Sequence, residues 1–173
     1  MPSKGKTVAK SFRINEKALE ALQEEAKKQN LSVNTLVNQL LLDYAEFGRL
    51  VQRMNALRLS RQTFAEILKA TTEDGMVRAG QVAGKSAPSA LITSKSVEVT
   101  LNAVLEYIRD LSAYANLFEY SEANEGGRTT ITLVHELGPK WSLFIGQYLV
   151  EAFRAAGIQP KFSTTDRAVT FKF

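Results

Sequence analysis

The order of hydrophobic and polar residues at the start of the chain predicts a short β-strand. From Thr7 to Ile14 the two kinds of residue alternate with a period of two, as they do in a strand with one buried face. One face carries Val8, Phe12 and Ile14, with Lys10 between them, and the other carries Thr7, Ala9, Ser11 and Arg13. The strand therefore has an apolar side to bury and a polar side to expose.

Two helices are predicted to follow this strand, because the spacing of apolar residues changes to the helical period. Asn15 is a suitable N-cap for the first helix, and Ile14 and Leu19 have the spacing of a hydrophobic staple. Ser32 is the predicted N-cap of the second helix, which ends at Gly48. The apolar stripes consist of Ala18, Leu19, Leu22 and Ala26 in the first helix and of Leu36, Val37, Leu40, Leu41 and Tyr44 in the second.

Residues 49–95 are predicted to form a helical connector. Ser60 is placed to cap a short helix that runs through Leu68, and residues 72–74 begin another helix with two acids in its first turn. The segment Ser86–Ser89 contains a proline, interrupts the helical pattern and predicts a boundary. The two short helices have an alternative interpretation as a helix-turn-helix, although no recognition face stands out.

The last part of the chain has the order α-β-β-α-β-β. An amphipathic helix is predicted from residue 97 to 111, followed by strands at 117–120 and 129–136. Gly138 and Pro139 open a long helix, because proline favours the first helical position, and Gly157 closes it. Residues 158–164 and 168–173 are predicted to form a final hairpin. These elements indicate a small four-stranded sheet with helical cover.

The fold class predicted from these patterns is α+β, in three segments. A strand–helix–helix module occupies residues 1–48, the helical connector residues 49–95, and an α+β domain residues 96–173. A length of 173 residues suits one large domain or two small ones. The α+β domain is expected to bind an effector or to promote assembly.

Charge is distributed unevenly between the two halves of the chain. Residues 1–95 hold 15 basic and 9 acidic side chains, a net charge of +6, whereas residues 96–173 hold 7 and 9, a net charge of −2. The first thirteen residues include four basic side chains and no acid. This polarity indicates that the N-terminal half meets a polyanion.

The amino-acid composition excludes several kinds of catalytic and metal-binding site. The chain has no cysteine and one histidine, His135, which excludes thiol catalysis, disulfides and any metal site built from several Cys or His residues of one chain. No cofactor, no metal and no catalytic residues are therefore predicted. No apolar run is long enough for a transmembrane helix and no secretory signal is visible, so we expect a cytoplasmic protein without membrane contact.

The N-terminal module is expected to be a homodimer. About 45 residues is close to the lower limit for a domain that folds alone, and an unpaired strand exposes its backbone hydrogen-bonding groups. Pairing the same strand from two copies about a two-fold axis solves both problems. Such a two-stranded ribbon fits the major groove of B-DNA, where an arginine can donate two hydrogen bonds to guanine.

The N-terminal residues resemble a known family. Residues 10–15 (KSFRIN), a helix of about fourteen residues and residues 31–35 (LSVNT) are similar in order and spacing to the ribbon-helix-helix repressors of the Arc/MetJ/CopG type. The resemblance covers roughly residues 6–47, about a quarter of the chain. It departs from the family at Lys10, where an apolar residue is usual, and at Ala9, which offers only a methyl contact.

The resemblance implies two groups of DNA-binding residues. Base contacts in the family come from alternate strand residues, which correspond here to Ala9, Ser11 and Arg13. Phosphate contacts at the start of the second helix correspond to Ser32, Val33 and Asn34, where exposed helix amides attract an anion. Further phosphate contacts are expected from Lys4, Lys6 and Lys10.

Two sequence motifs in the rest of the chain match enzyme signatures only partly. Residues 79–86 (AGQVAGKS) satisfy a relaxed phosphate-loop pattern, but the required preceding strand is not predicted. His135 and Glu136 begin a zinc-protease motif, but Pro139 stands where the second histidine would be. His135 alternates with Ile131 and Leu133, which predicts a core-facing histidine. A candidate effector pocket is assigned to His135, Trp141 and Tyr148.

The sequence therefore predicts a homodimeric DNA-binding transcriptional regulator that reads the major groove with an intermolecular β-ribbon. Its predicted partners are double-stranded DNA, a second copy of the chain, and a small-molecule or protein effector at residues 96–173. One alternative is an antitoxin whose C-terminal part binds a protein toxin. Another is an enzyme that uses the C-terminal sheet, with DNA binding incidental.

Overall fold

A computed structural model describes residues 7–53, 57, 59–95 and 97–173. The predicted phosphate contacts Lys4 and Lys6 lie outside the described residues. The chain divides into two compact units, Met1–Gly48 and Arg49–Phe173. The segments predicted as a connector and as an α+β domain both fall within the second unit.

The first unit is a pair of helices preceded by an exposed segment. Residues 7–15 have no regular secondary structure in the single chain, so the predicted strand is not formed there without a partner copy. Helix α1 spans Glu16–Lys28 and helix α2 spans Val33–Asp43, and a π-helical turn follows at Tyr44–Gly48. The turn between the helices passes through Asn30, whose positive φ of 55° ends α1.

Both predicted N-caps stand at the helix starts of this unit. Asn15 is the N-cap of α1, although its side chain makes no capping hydrogen bond. The Oγ of Ser32 accepts a hydrogen bond from the Thr35 amide at 3.0 Å, which satisfies one of the orphan donors of α2.

The second unit contains six α-helices and four strands among its described residues, which agrees with the α+β class. The helices are α3 (Arg49–Arg53), α4 (Arg61–Ala70), α5 (Glu73–Gly84), α6 (Ala87–Ser94), α7 (Leu101–Ala113) and α8 (Pro139–Ala155). The strands are β1 (Glu119–Glu125), β2 (Arg128–Val134), β3 (Lys161–Thr164) and β4 (Ala168–Lys172). They form one antiparallel sheet in the order β1-β2-β4-β3.

The register of the sheet places its apolar residues on one face. Ile131 lies opposite Phe171, and Leu133 lies opposite Val169, and all four side chains are fully buried. Helices α7 and α8 contact the strands, and the fully buried residues of α7 and α8 include Val104, Ile108, Leu149 and Phe153. The core of the unit therefore lies between α7, α8 and one face of the sheet.

The first hairpin differs from its predicted limits. The sequence predicts a loop at residues 124–127, but β1 continues to Glu125 and pairs it with Arg128. Gly126 and Gly127 have φ values of 55° and 77°, so two residues suffice for a tight turn that matches the strand twist.

The predicted interruption of the helical pattern at Ser86–Ser89 lies where helix α5 has ended, at Gly84, and helix α6 begins, at Ala87. These residues begin α6, with Pro88 in the first turn, where the missing N–H of proline costs no helical hydrogen bond. The phosphate-loop-like residues 79–86 are mostly helical and lie in and after α5. Helices α5 and α6 both contact α8, so this part of the connector packs against the same helix as the sheet.

Candidate functional site

The first unit leaves many large apolar side chains uncovered. Val8 is 83%, Phe12 62% and Leu41 55% exposed, whereas the only core positions described in this unit are Ala26, Leu36 and Phe47. The other exposed apolar residues of the unit are Ile14, Leu40, Leu42 and Tyr44. So many large exposed apolar side chains on one small unit are typical of an interaction surface.

The residues predicted to contact DNA bases lie in the exposed segment before α1. Ala9, Ser11 and Arg13 are all exposed, and so is Lys10. None of them belongs to a described helix or strand of the single chain. Their arrangement into one face of a ribbon requires a second copy, so the base-contacting role stays a prediction.

Three of the predicted phosphate contacts, Ser32, Val33 and Asn34, lie at the N-terminus of α2. The first intrahelical hydrogen bond of α2 runs from the Leu36 amide to the Ser32 carbonyl at 3.0 Å. The Thr35 amide is taken by the Ser32 side chain, whereas the amides of Val33 and Asn34 precede any acceptor within the helix. Asn34 is exposed and Val33 is half-buried. Two backbone amides at this helix start therefore have no acceptor within the helix, and the phosphate-contacting role stays a prediction.

His135 lies in the core of the second unit and is held at both ring nitrogens. It is 4% exposed, and its Nδ1 accepts a hydrogen bond from the Leu137 amide at 3.3 Å. The Nε2 atom therefore carries the proton and donates to the Oγ of Ser142 at 2.8 Å. Ser142 in turn donates to the carbonyl of Thr165 at 2.6 Å.

This series of hydrogen bonds does not form a nucleophile and base. The Ser142 hydroxyl is fully buried and its proton is directed to a carbonyl, so His135 accepts nothing from it. Burial and the nearby positive charge of Arg167 lower the pKa of His135, which favours the neutral ring. The hydrogen bonds join the end of β2, the start of α8 and the loop after β3. Their role in the described structure is to hold these elements together.

A cavity of about 170 Å³ lies between α7 and α8 in the second unit. Trp141 and Tyr148 line it, as predicted for the effector pocket, but His135 does not belong to its walls. The walls are almost entirely apolar and include Tyr107, Phe118 and Phe144. The structure thus brings together two of the three residues assigned to an effector pocket and places the third elsewhere.

A row of aromatic rings forms one side of this cavity. Trp141 and Phe144 stack with ring centroids 4.9 Å apart, and Phe144 and Tyr148 stack at 5.5 Å. Phe64 of α4 meets Trp141 edge-on at 5.0 Å. Aromatic contacts of this geometry fix the ring planes, so the wall of the cavity has a defined shape.

Two tyrosine hydroxyls meet beside the cavity. The Oη atoms of Tyr107 and Tyr148 are 2.6 Å apart and share a hydrogen bond. Burial raises the pKa of both phenols, so both stay neutral at physiological pH. Because the two polar ends face each other, they contribute almost nothing polar to the cavity wall.

Sequence reasoning missed Tyr107 and Ser142. Tyr107 follows Val104 by three residues and precedes Leu111 by four, so helical spacing could have placed it on the buried face of α7. Ser142 gave no such signal, because a serine in the first turn of a helix is usually exposed.

The described residues contain no group of three or more His, Cys, Asp or Glu side chains able to hold a metal ion. None of the described helices combines the length and the apolar character needed to cross a membrane. The chain matches no protein-family model, no curated protein and no solved structure.

Proposed function

We propose that this protein is a homodimeric, sequence-specific DNA-binding transcriptional regulator. The observation that carries the proposal is the uncovered apolar surface of the first unit, combined with the order of its segments. An exposed segment of alternating pattern precedes two helices, and its apolar members Val8, Phe12 and Ile14 have no core to enter in a single chain. A second copy would supply that core.

Dimerisation follows from the pairing needs of residues 7–14. Two copies of this segment paired antiparallel would satisfy each other's backbone groups and turn their apolar faces toward the helices. The exposed Leu40 and Leu41 of α2 offer further surface to the second copy. A two-fold axis makes each contact count twice, which suits a small module with little core of its own.

DNA recognition is inferred from the side chains that such a ribbon would expose on its outer face. Ala9, Ser11 and Arg13 would appear twice on the outer face, and a two-stranded ribbon has the dimensions of the major groove. Arg13 is the long donor in this set and can bind a guanine edge with two hydrogen bonds. The helix start at Ser32, Val33 and Asn34 would bind phosphate and fix the register.

The antitoxin alternative receives less support. Antitoxin segments that bind toxins are commonly short and disordered when free, whereas residues 97–173 have a buried core between helices and a sheet. Protease resistance of this part in the free protein is expected for a regulator, and rapid digestion would favour the antitoxin.

The direct test compares two arginine variants on DNA. An operator is selected from random duplexes with the full chain, and its affinity is measured beside that of a scrambled duplex. Arg13→Ala should weaken operator binding by about 1–3 kcal/mol for each lost bidentate contact and leave scrambled binding nearly unchanged. Arg128→Ala removes the same charge from an exposed position in the second unit and should bind as the parent does.

A lysine variant and the salt dependence complete this test. Lys6→Ala should weaken the operator and the scrambled duplex equally, because a phosphate contact carries no base information. The logarithm of the binding constant should fall steeply with the logarithm of salt concentration. Equal effects of Arg13→Ala on both duplexes would contradict the assigned base-reading face, and a dimer with no duplex preference would contradict the function.

A further inference from the structure

We propose that the cavity between α7 and α8 is a binding site for a small, neutral aromatic molecule of about the size of toluene. This site is separate from the DNA-binding proposal and does not rest on it. The walls come entirely from the second unit, from α7, α8 and the segment at Leu117 and Phe118.

The volume of the cavity sets the size of the ligand. An apolar cavity of about 150 Å³ is large enough to bind benzene, so the 170 Å³ found here suits one substituted six-membered ring. Molecules with two fused rings and long side chains exceed this space. The half-buried wall residues Leu117, Phe144 and Tyr148 leave one side of the cavity open, so a ligand can enter from solvent.

The walls select an aromatic ring. Tyr107, Phe118, Trp141, Phe144 and Tyr148 all face the cavity, and three of them form the stacked row along α8. Aromatic rings pack against one another through offset-stacked or edge-to-face contacts, which add to the gain from apolar burial. An aliphatic ligand of equal size gains the burial alone.

The walls also exclude charge. No Asp, Glu, Lys or Arg among the described residues lines the cavity, and the two nearby hydroxyls are bonded to each other at 2.6 Å. The Nε1–H group of the wall residue Trp141 is buried and has no hydrogen-bond partner, but a single neutral donor does not offset the hydration that a carboxylate would lose here, and it offers nothing to an ammonium. The site should therefore distinguish toluene from benzoate, which share the ring and differ in the charge.

Trp141 offers a direct readout, because it is the only tryptophan of the chain and lines the cavity. Titration of the full chain with toluene should change the Trp141 emission saturably, and benzoate at the same concentrations should not. At about ten times the dissociation constant found by fluorescence, toluene should raise the melting temperature by about 3–6 °C.

A filled cavity provides the control. Leu117→Trp adds bulk at the half-buried wall position and should abolish the toluene-induced rise in melting temperature, whereas Leu59→Trp, at an exposed position away from the walls, should keep it. Persistence of the rise in both variants would indicate general partitioning into the protein, and its loss in both would show that the rise does not depend on the cavity; either result overturns the proposal. The proposal is equally overturned if the parent shows no response to toluene or responds equally to benzoate.

Discussion

Gly80 of α5 lies directly against the main-chain oxygen of Phe144 of α8, so closely that a Cβ atom at Gly80 would be 2.5 Å from it. One turn further on, Gly84 has the same relationship with the main-chain oxygen of Tyr148, again at 2.5 Å. The two glycines allow the backbones of α5 and α8 to touch. Phe144 and Tyr148 are two of the three α8 residues whose rings line the cavity.

This contact predicts that Gly80→Ala destabilises the protein. Replacing a glycine by alanine inside a helix normally stabilises it by up to about 1 kcal/mol. Here the added methyl group meets backbone that cannot rotate away, and overpacking of this kind costs about 1–3 kcal/mol. Val82→Ala, at a 71% exposed position of the same helix, should change the free energy of unfolding by less than about 0.5 kcal/mol. Denaturant unfolding of both variants measures the difference, and a Gly80→Ala protein as stable as the parent would rule out the close contact.

Because His135 is neutral in the folded protein, we predict that the free energy of unfolding decreases as the pH is lowered through the weakly acidic range. Its folded-state pKa is lowered, so below about pH 6.5 the unfolded chain binds a proton that the folded chain does not. The free energy of unfolding should therefore be highest above neutral pH. It should decrease toward lower pH by at most about 1.4 kcal/mol per pH unit, until the folded-state pKa is passed. Because the chain has one histidine, His135→Asn should flatten this dependence between about pH 7.5 and 6. Equal slopes for the parent and the variant would contradict the assignment.

Ser142 is predicted to contribute to stability through its two hydrogen bonds. Ser142→Ala would leave the Nε2–H group of His135 buried without a partner and would also remove the hydrogen bond to the Thr165 carbonyl. An unsatisfied buried polar group costs about 1–3 kcal/mol, and the melting temperature should fall accordingly. Ser163→Ala, at an exposed position of β3, should have little effect. A similar small effect for both serines would show that the buried series of hydrogen bonds is not stabilising.

Lys140 is predicted to hold the end of α4. Its ammonium group donates to the carbonyls of Leu68 at 3.2 Å, Lys69 at 3.0 Å and Thr71 at 2.5 Å, which lie at the negative end of the helix dipole. Lys140→Met keeps the apolar stem and removes the donors, and should lower the free energy of unfolding by about 1–3 kcal/mol. Lys172→Met is the matched exposed control. If both variants unfold at the same denaturant concentration as the parent, the cap contributes nothing.

If the protein is a dimer, one substitution in the paired segment should convert it to a monomer in solution. The parent should sediment as a dimer at low micromolar concentration, twice the 19.2 kDa of the chain. Phe12→Glu should shift it to monomer, because a charge would enter the apolar side of the paired segment. Val82→Glu places the same charge at an exposed apolar position of the second unit and should remain a dimer. A folded monomer in the parent would overturn the ribbon.

The sequence by itself determined those features that depend on a few neighbouring residues. Ser32 and Ser60 stand at N-caps in the structure as they do in the prediction, because a cap joins a side chain to an amide three residues away. Thr72, where a helix is predicted to begin, caps that helix in the same way. The helix that begins at Pro139 and the presence of four strands in one sheet also agree with the prediction, whereas the strand order β1-β2-β4-β3 comes from the structure. The strand at residues 7–14 stays a prediction, since its pairing requires a second chain.

Only the tertiary structure determines which residues that are distant in the sequence contact one another. In the sequence, Gly80 and Gly84 belong to a weak phosphate-loop pattern. Only the structure shows that they allow the backbones of α5 and α8 to touch. Ser86–Ser89 has the pattern of a break, although a proline there is compatible with the first turn of a helix. The sequence predicts that His135 shares one pocket with Trp141 and Tyr148. In the structure the ring of His135 is instead held by Ser142. Tyr148 forms its hydrogen bond with Tyr107, 41 positions away. Side chains so far apart are brought together by the packing of whole helices, and no local pattern of apolar and polar residues encodes that packing.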